Sequence, residues 1–177
     1  MSLHYNVFTQ IINDPEAVLS DRDVIFKQVL DSFNGKSLEI LQVGAIETFN
    51  SAWAYGSGWS DVIFSRYIKK YGGNLTVVDI DLDHIANSFF LSNVLRYASN
   101  LTVMHSNAMD IDWSHPYNIY YLDGGNDPAE TYFQYQKIPK ENCVILVDDF
   151  YIKGTMLKDE GFTLYNIANG FGLKDYR

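Results

Sequence analysis

The sequence predicts an α/β domain: a mostly parallel sheet with helices on both faces. Two observations predict it. Short apolar runs alternate with helical patterns, and glycine or polar residues recur where those runs end. The runs are Leu38–Val43, Leu75–Val78, Leu101–Met104, Asn118–Leu122 and Cys143–Val147, and their ends carry Gly44, Asp79, Asn107, Asp123 and Asp148-Asp149. In parallel sheets ligands bind beyond the carboxyl ends of the strands, so these residues form the candidate site.

Asp14-Pro15 reads as a helix start, and Ser20 with Asp23 three residues later as a second, in the style of a capping box. Val24, Ile25, Val29, Leu30 and Phe33 then fall at helical spacing, and Asn34-Gly35 stops the helix. The first strand turns at Gly44-Ala45 and is followed by Gly56-Ser57-Gly58 and a helix that Ser60 caps, with Val62, Ile63, Phe64 and Tyr67 on its buried side. Strand, glycine turn and helix start together make a cradle for a charged small molecule, because small residues let it approach free backbone amides. Gly72-Gly73 ends that helix, and the second strand closes in Asp79-Ile80-Asp81 before a helix over His84–Tyr97. Met109–Tyr117 barely has room for a full crossover helix and reads as a single turn or a loop. Asp127-Pro128-Ala129-Glu130 opens the next helix with an aspartate cap and a proline in the first turn. Phe162–Ile167 and Phe171–Tyr176 read as two strands around an Asn169-Gly170 turn, an antiparallel hairpin that closes the chain.

At 177 residues the chain is expected to form one domain, with residues 1–36 as a helical region packed on it. Apolar content of 47% and aromatic content of 15% argue against disorder. No apolar stretch has the length of a membrane span, and the N-terminus lacks the pattern of a secretion signal, so a cytoplasmic protein without a membrane partner is expected. Cys143 lies in an apolar run and reads as a buried thiol. The net charge of −9 argues against nucleic acid as a partner. Assembly into a homo-oligomer is left open.

Val43-Gly44-Ala45, Thr76–Asp81, Ser106-Asn107-Ala108, Tyr121–Gly125 and Val147-Asp148-Asp149 together resemble the motifs of class I S-adenosylmethionine-dependent methyltransferases. The similarity runs from Leu38 to the C-terminus and extends to small-molecule O-methyltransferases of the sugar, metabolite or catechol type. It implies a Rossmann-like, doubly wound sheet of seven strands in the order 3-2-1-4-5-7-6, and S-adenosylmethionine as cofactor. It places the cofactor against Gln42, Gly44, Ala45, Ser60, Asp79, Ile80, Asn107, Ala108 and Asp123, with Asp79 on the ribose hydroxyls. The chain departs from the pattern at Gln42, where an acid is usual, at Asn107 in place of aspartate, and at Asn126, where catechol-type enzymes have a lysine base.

A carboxylate is an acceptor-only group with two oxygens, suited to a vicinal diol, which supports Asp79 independently of the resemblance. Asp123 and Asp148 are the expected catalytic residues, and Asp123, Asp148 and Asp149 offer oxygen ligands for Mg²⁺. Both aspartates of the adjacent pair can serve only if the fifth strand has ended before them. His105 at the third strand's end and His115 in the loop after it read as surface or packing residues, with a base role for one of them as the alternative. The expected function is methyl transfer to a small polar metabolite, with O-methylation foremost. The alternatives are a degenerate binding module of the same fold, or an NAD-dependent oxidoreductase, whose closely spaced glycines are missing here. Specificity is expected in Glu47–Tyr55, the N-terminal region and the segment after Asp149.

Overall fold

The computed structural model describes residues 20–47, 59–94, 96, 98–125, 127–167 and 169–177. The elements are α1 (Asp21–Asp31), β1 (Leu38–Val43), α2 (Ser60–Tyr71), β2 (Gly73–Asp79), α3 (Leu82–Val94), β3 (Leu101–His105), β4 (Ile119–Leu122), α4 (Pro128–Lys137), β5 (Val144–Val147), α5 (Phe150–Lys153), β6 (Thr163–Tyr165) and β7 (Phe171–Asp175). The seven strands lie in the order β3-β2-β1-β4-β5-β7-β6, as the sequence predicts. β1 pairs in parallel with β2 and β4, while β7 runs antiparallel to β5 and β6. The helix start at Asp14-Pro15, the glycines at Gly56 and Gly58, residues 48–55, Asn126 and the helix end at Tyr97 lie outside the described residues.

Strand alternation divides the core between the two faces of the sheet. Leu38, Ile40, Ile119, Tyr121, Val144 and Leu146 face α1 and α2. Leu41, Val43, Tyr120, Leu122, Ile145 and Val147 face α4 and the segment that begins with α5. β4 and β5 are buried along their whole length, as central parallel strands must be, whereas β3 at the edge is largely exposed. Phe26 pins α1 to the sheet by edge-on contacts with Phe64, Tyr121 and Phe171 at 5.1–5.6 Å between ring centroids.

Local signals account for most helix ends. Ser20 and Asp23 form the expected capping box, and the Asp127 side chain accepts the Ala129 N–H at 2.8 Å with Pro128 in the first turn. Three details differ from expectation. Trp59 holds the cap position of α2 without a side-chain bond, and Ser60, its first helical residue, turns its hydroxyl inward. Val24 is exposed on α1 while Phe26 is buried. α3 starts at Leu82, because Asp81 Oδ1 accepts the Asp83 and His84 amides. Between β3 and β4 the chain is a loop, as expected, held by buried Trp113, whose ring N–H donates to Ala108 O at 3.0 Å. Cys143 is buried, and burial pushes its thiol up to about 11. No helix among the described residues is long and apolar enough to cross a membrane.

Candidate functional site

The turn after β1 depends on a glycine. Gly44 has φ +96°, and a Cβ there would lie 2.7 Å from the Asp123 carbonyl oxygen, so the ends of β1 and β4 meet where a side chain would stand. Gly44 N–H donates to Val78 O at 2.8 Å and Asp123 N–H to Val43 O at 2.9 Å, which locks the turn between both neighbouring strands. Gln42 supports it from beneath: its side-chain N–H group donates to Gly44 O at 2.7 Å and to the Asp61 carboxylate. Ser88 of α3 donates to the other Asp61 oxygen. Burial raises Asp61 to about 6 against the partial offset of those hydrogen bonds. Gly44→Ala combines a backbone clash with a left-handed conformation that costs of order 1–3 kcal/mol, so chemical denaturation should show a loss of at least that size.

A cavity of about 550 Å³ opens at the carboxyl ends of β1, β2, β3 and β4, within the size range of small-molecule sites. Gly44, Ala45, Asp79, Ile80, Asn107, Ala108 and Asp123 all line it. Asp79 ends β2 and accepts the Ala45 N–H and the Asp81 N–H, each at 2.8 Å, with His84 Nδ1 3.2 Å from the same oxygen that Ala45 uses. Its carboxylate thus joins the β1 turn to the start of α3 while facing the cavity. Asn107 Oδ1 accepts the Met109 N–H at 2.9 Å. The wall carries the carboxylates of Glu47, Asp79, Asp81, Asp123, Glu130 and Asp149 against Lys153 and His84, which favours a cationic ligand.

At the ends of β4 and β5 the three aspartates take different partners. The strand has ended at Val147, as joint service of Asp148 and Asp149 requires, yet the two side chains take different surroundings. Asp148 is buried and ion-paired with buried Arg22 of α1. Tyr121 hydroxyl lies 3.0 Å from Asp148 Oδ2 and 2.9 Å from Asp123 Oδ2, one proton between two acceptors, and burial keeps that phenol well above its ordinary ionisation range. Asp149 adopts a left-handed backbone (φ 45°) and lines the cavity. Asp123 receives Lys153 Nζ at 2.7 Å.

This arrangement lends the Mg²⁺ expectation no support. Asp148 is paired with a guanidinium and one Asp123 oxygen with an ammonium, and among the described residues no cluster of three or more acidic, His or Cys side chains is placed to hold a metal.

No known protein-family profile matches the chain, and no curated protein sequence does. Solved structures do. A candidate caffeoyl-CoA O-methyltransferase from Staphylococcus aureus superposes with a TM-score of 0.63 at 10% identity, over 98% of this chain and 91% of that one. A methyltransferase from Geobacter sulfurreducens gives 0.57 at 13% identity, over 98% and 89%. A Podospora anserina methyltransferase bound to S-adenosylhomocysteine gives 0.57 at 10%, over 78% and 71%. The chain has the methyltransferase fold. It spans only 45–55% of five further chains that match it.

Two residues expected at the cofactor on the methyltransferase pattern lie beside the cavity rather than in its wall: Gln42 beneath the turn and Ser60 buried at the head of α2. Asp148 is likewise behind the wall, and it is the half-buried Asp149 that lines the cavity. His105 Nε2 bonds Ile80 O at 2.9 Å and His115 packs on Tyr117, so neither reaches the cavity. The histidine in the wall is His84, five residues after Asp79 on the first turn of α3. Sequence reasoning also missed Lys153, although its spacing of four from Asp149 is a helical ion-pair signal.

Proposed function

We propose that this cavity binds S-adenosylmethionine and that the chain transfers its methyl group to a small polar metabolite, with an oxygen as the acceptor atom. The observation that carries the reading is Asp79, a carboxylate at the end of the second strand, set in a wall rich in acids beside a turn that has no room for a side chain. When bound, S-adenosylmethionine supplies an electrophilic methyl group on a sulfonium centre. Gly44 and Ala45 would leave room for the nucleoside, Asp79 would accept from the ribose hydroxyls, and Asn107, its oxygen engaged by Met109, would offer its amino group to the adenine edge. Ile80 and Ala108 give the base apolar contact. Asp123, one of whose oxygens Lys153 holds, would add its carboxylate to the wall around the ammonium of the methionine moiety, and Arg22 with Asp148 fixes the wall behind it as positioning residues. In-line displacement asks the protein chiefly to align donor and acceptor and to exclude water.

The carboxylates of Glu47, Asp79 and Asp81 around the β1 turn also argue against a nicotinamide dinucleotide, whose pyrophosphate would enter a field of like charge there. A binding module without turnover is the second reading, favoured by Gln42 and Asn107 standing where acids are usual. Calorimetry with S-adenosylhomocysteine should give micromolar-range binding that Asp79→Ala weakens by about 1.5–3 kcal/mol, the scale of hydrogen bonds to a charged group. Saturable binding of NAD with none of the methionine nucleoside would sink the proposal. Binding without S-adenosylhomocysteine release across a panel of sugars, phenols and carboxylic acids would select the second reading.

A further inference from the structure

Lys153 is the one lysine or arginine among the described residues lining the cavity, in a wall that otherwise holds six carboxylates. Its placement is built into the backbone. Asp149 starts a single helical turn in a left-handed conformation, and Lys153 N–H bonds back to Asp149 O at 2.9 Å, so the side chain returns over the strand ends. Gly154 lets this turn close, since a Cβ there would lie 2.6 Å from the Phe150 ring. The Lys153 side chain is 5% exposed. Nζ donates to Asp123 Oδ1 at 2.7 Å and to Asp123 O at 3.1 Å. Asp149 Oδ2 is 3.7 Å away, beyond a hydrogen bond. An ammonium has three N–H groups, so with two held by Asp123 the third is left for the cavity that Lys153 and Asp149 line.

Burying a charge is costly unless it is paired, and here Asp123 fixes the ammonium by hydrogen bonds while Asp149 adds a longer ion pair, which leaves one donor for a ligand. The ammonium lies between the ends of β4 and β5, among the carboxylates from which a metal site was expected. A fixed cation there stabilises an oxyanion electrostatically. An oxyanion has lone pairs for both a hydrogen bond and methyl transfer. A neutral amine has one, which the same hydrogen bond would occupy.

We propose that Lys153 is the acceptor-binding residue of this cavity, its third N–H taking the ionised oxygen of an acidic hydroxyl. This rests on the methyltransferase reading and narrows its acceptor class. The test uses the full chain saturated with S-adenosylhomocysteine and 4-nitrophenol as probe, because only the ionised probe absorbs strongly in the visible. The bound probe should ionise about one pH unit lower than the free probe, a roughly tenfold preference for the anion. Lys153→Met should lose that shift and at least about tenfold in probe affinity, and Lys153→Arg should keep part of both, each variant being measured at its own saturating S-adenosylhomocysteine concentration. Chelator should leave the wild-type shift intact. The proposal is overturned if the SAH-loaded wild type does not bind the probe, binds it un-ionised, or loses the shift with chelator, or if Lys153→Met retains the shift. The wild-type measurement stands even if Lys153→Met fails to fold. Failure of S-adenosylhomocysteine to bind overturns the methyltransferase reading itself, and calorimetry detects it before any probe is added.

Discussion

Replacing Arg22 by methionine should destabilise the protein by about 3–5 kcal/mol, the cost of leaving one member of a buried ion pair without its partner. Arg22 and Asp148 side chains are 7% and 3% exposed, so water cannot take over the lost role. Tyr121 still donates to Asp148, and Asp149 N–H to its other oxygen at 2.9 Å, but neither brings a compensating charge. For a chain of this size each kcal/mol lowers the melting temperature by about 2–4 °C, so a fall on the order of 10 °C is expected. The double variant Arg22→Met with Asp148→Leu should recover much of the loss, because it removes both charges together. A single variant that melts within about 2 °C of wild type, under 1 kcal/mol, would show that this pair does not tie α1 to the sheet.

Asp61 should make stability fall as pH rises through the weakly acidic range. The folded state holds the proton up to about pH 6, whereas the unfolded chain releases it near 3.8. Between those values the folded state binds more protons, so each pH increment favours unfolding, and above pH 6 the full cost, about 3 kcal/mol, is present. Asp61→Asn removes the titration. The wild-type minus variant stability should therefore decline by that amount between about pH 4 and 6 and stay level above pH 7. Urea denaturation across that range measures it, and a difference that does not change with pH would contradict the assignment. The asparagine has its own hydrogen-bonding cost against Gln42 and Ser88, which is why the slope rather than the absolute stability is the test.

The fold was legible because its signals are local. Apolar runs such as Ile119–Leu122 and Val144–Val147 are buried on both faces, as central strands require, and the Ser20 and Asp127 caps depend on residues two or three positions away. The strand-end residues Gly44, Asp79, Asn107 and Asp123 were legible for the same reason, since the end of a run marks the end of a strand. What was not legible is how carboxylates are shared out. The partner of Asp148 is 126 residues away in α1, and nothing near either residue announces the pairing. Without it the Asp148-Asp149 pair reads as two ligands, whereas one is structural and one faces the cavity. Gln42 looked like a cofactor contact by position; its amide instead serves Asp61 and the turn. Lys153 carried a signal, the spacing to Asp149, in the segment where specificity was expected, but a four-residue helix is too short to show a pattern.

The central claim is that a methionine nucleoside occupies the carboxyl ends of β1 to β4. Backbone amide NMR during titration with S-adenosylhomocysteine tests it most directly. The account predicts saturable shifts concentrated at Ala45, Asp81, Asn107, Ala108 and Gly124, with the amides of α1 and the β6–β7 hairpin little changed. Saturable shifts centred elsewhere, or none at millimolar ligand while NAD shifts the same cavity amides, would contradict it.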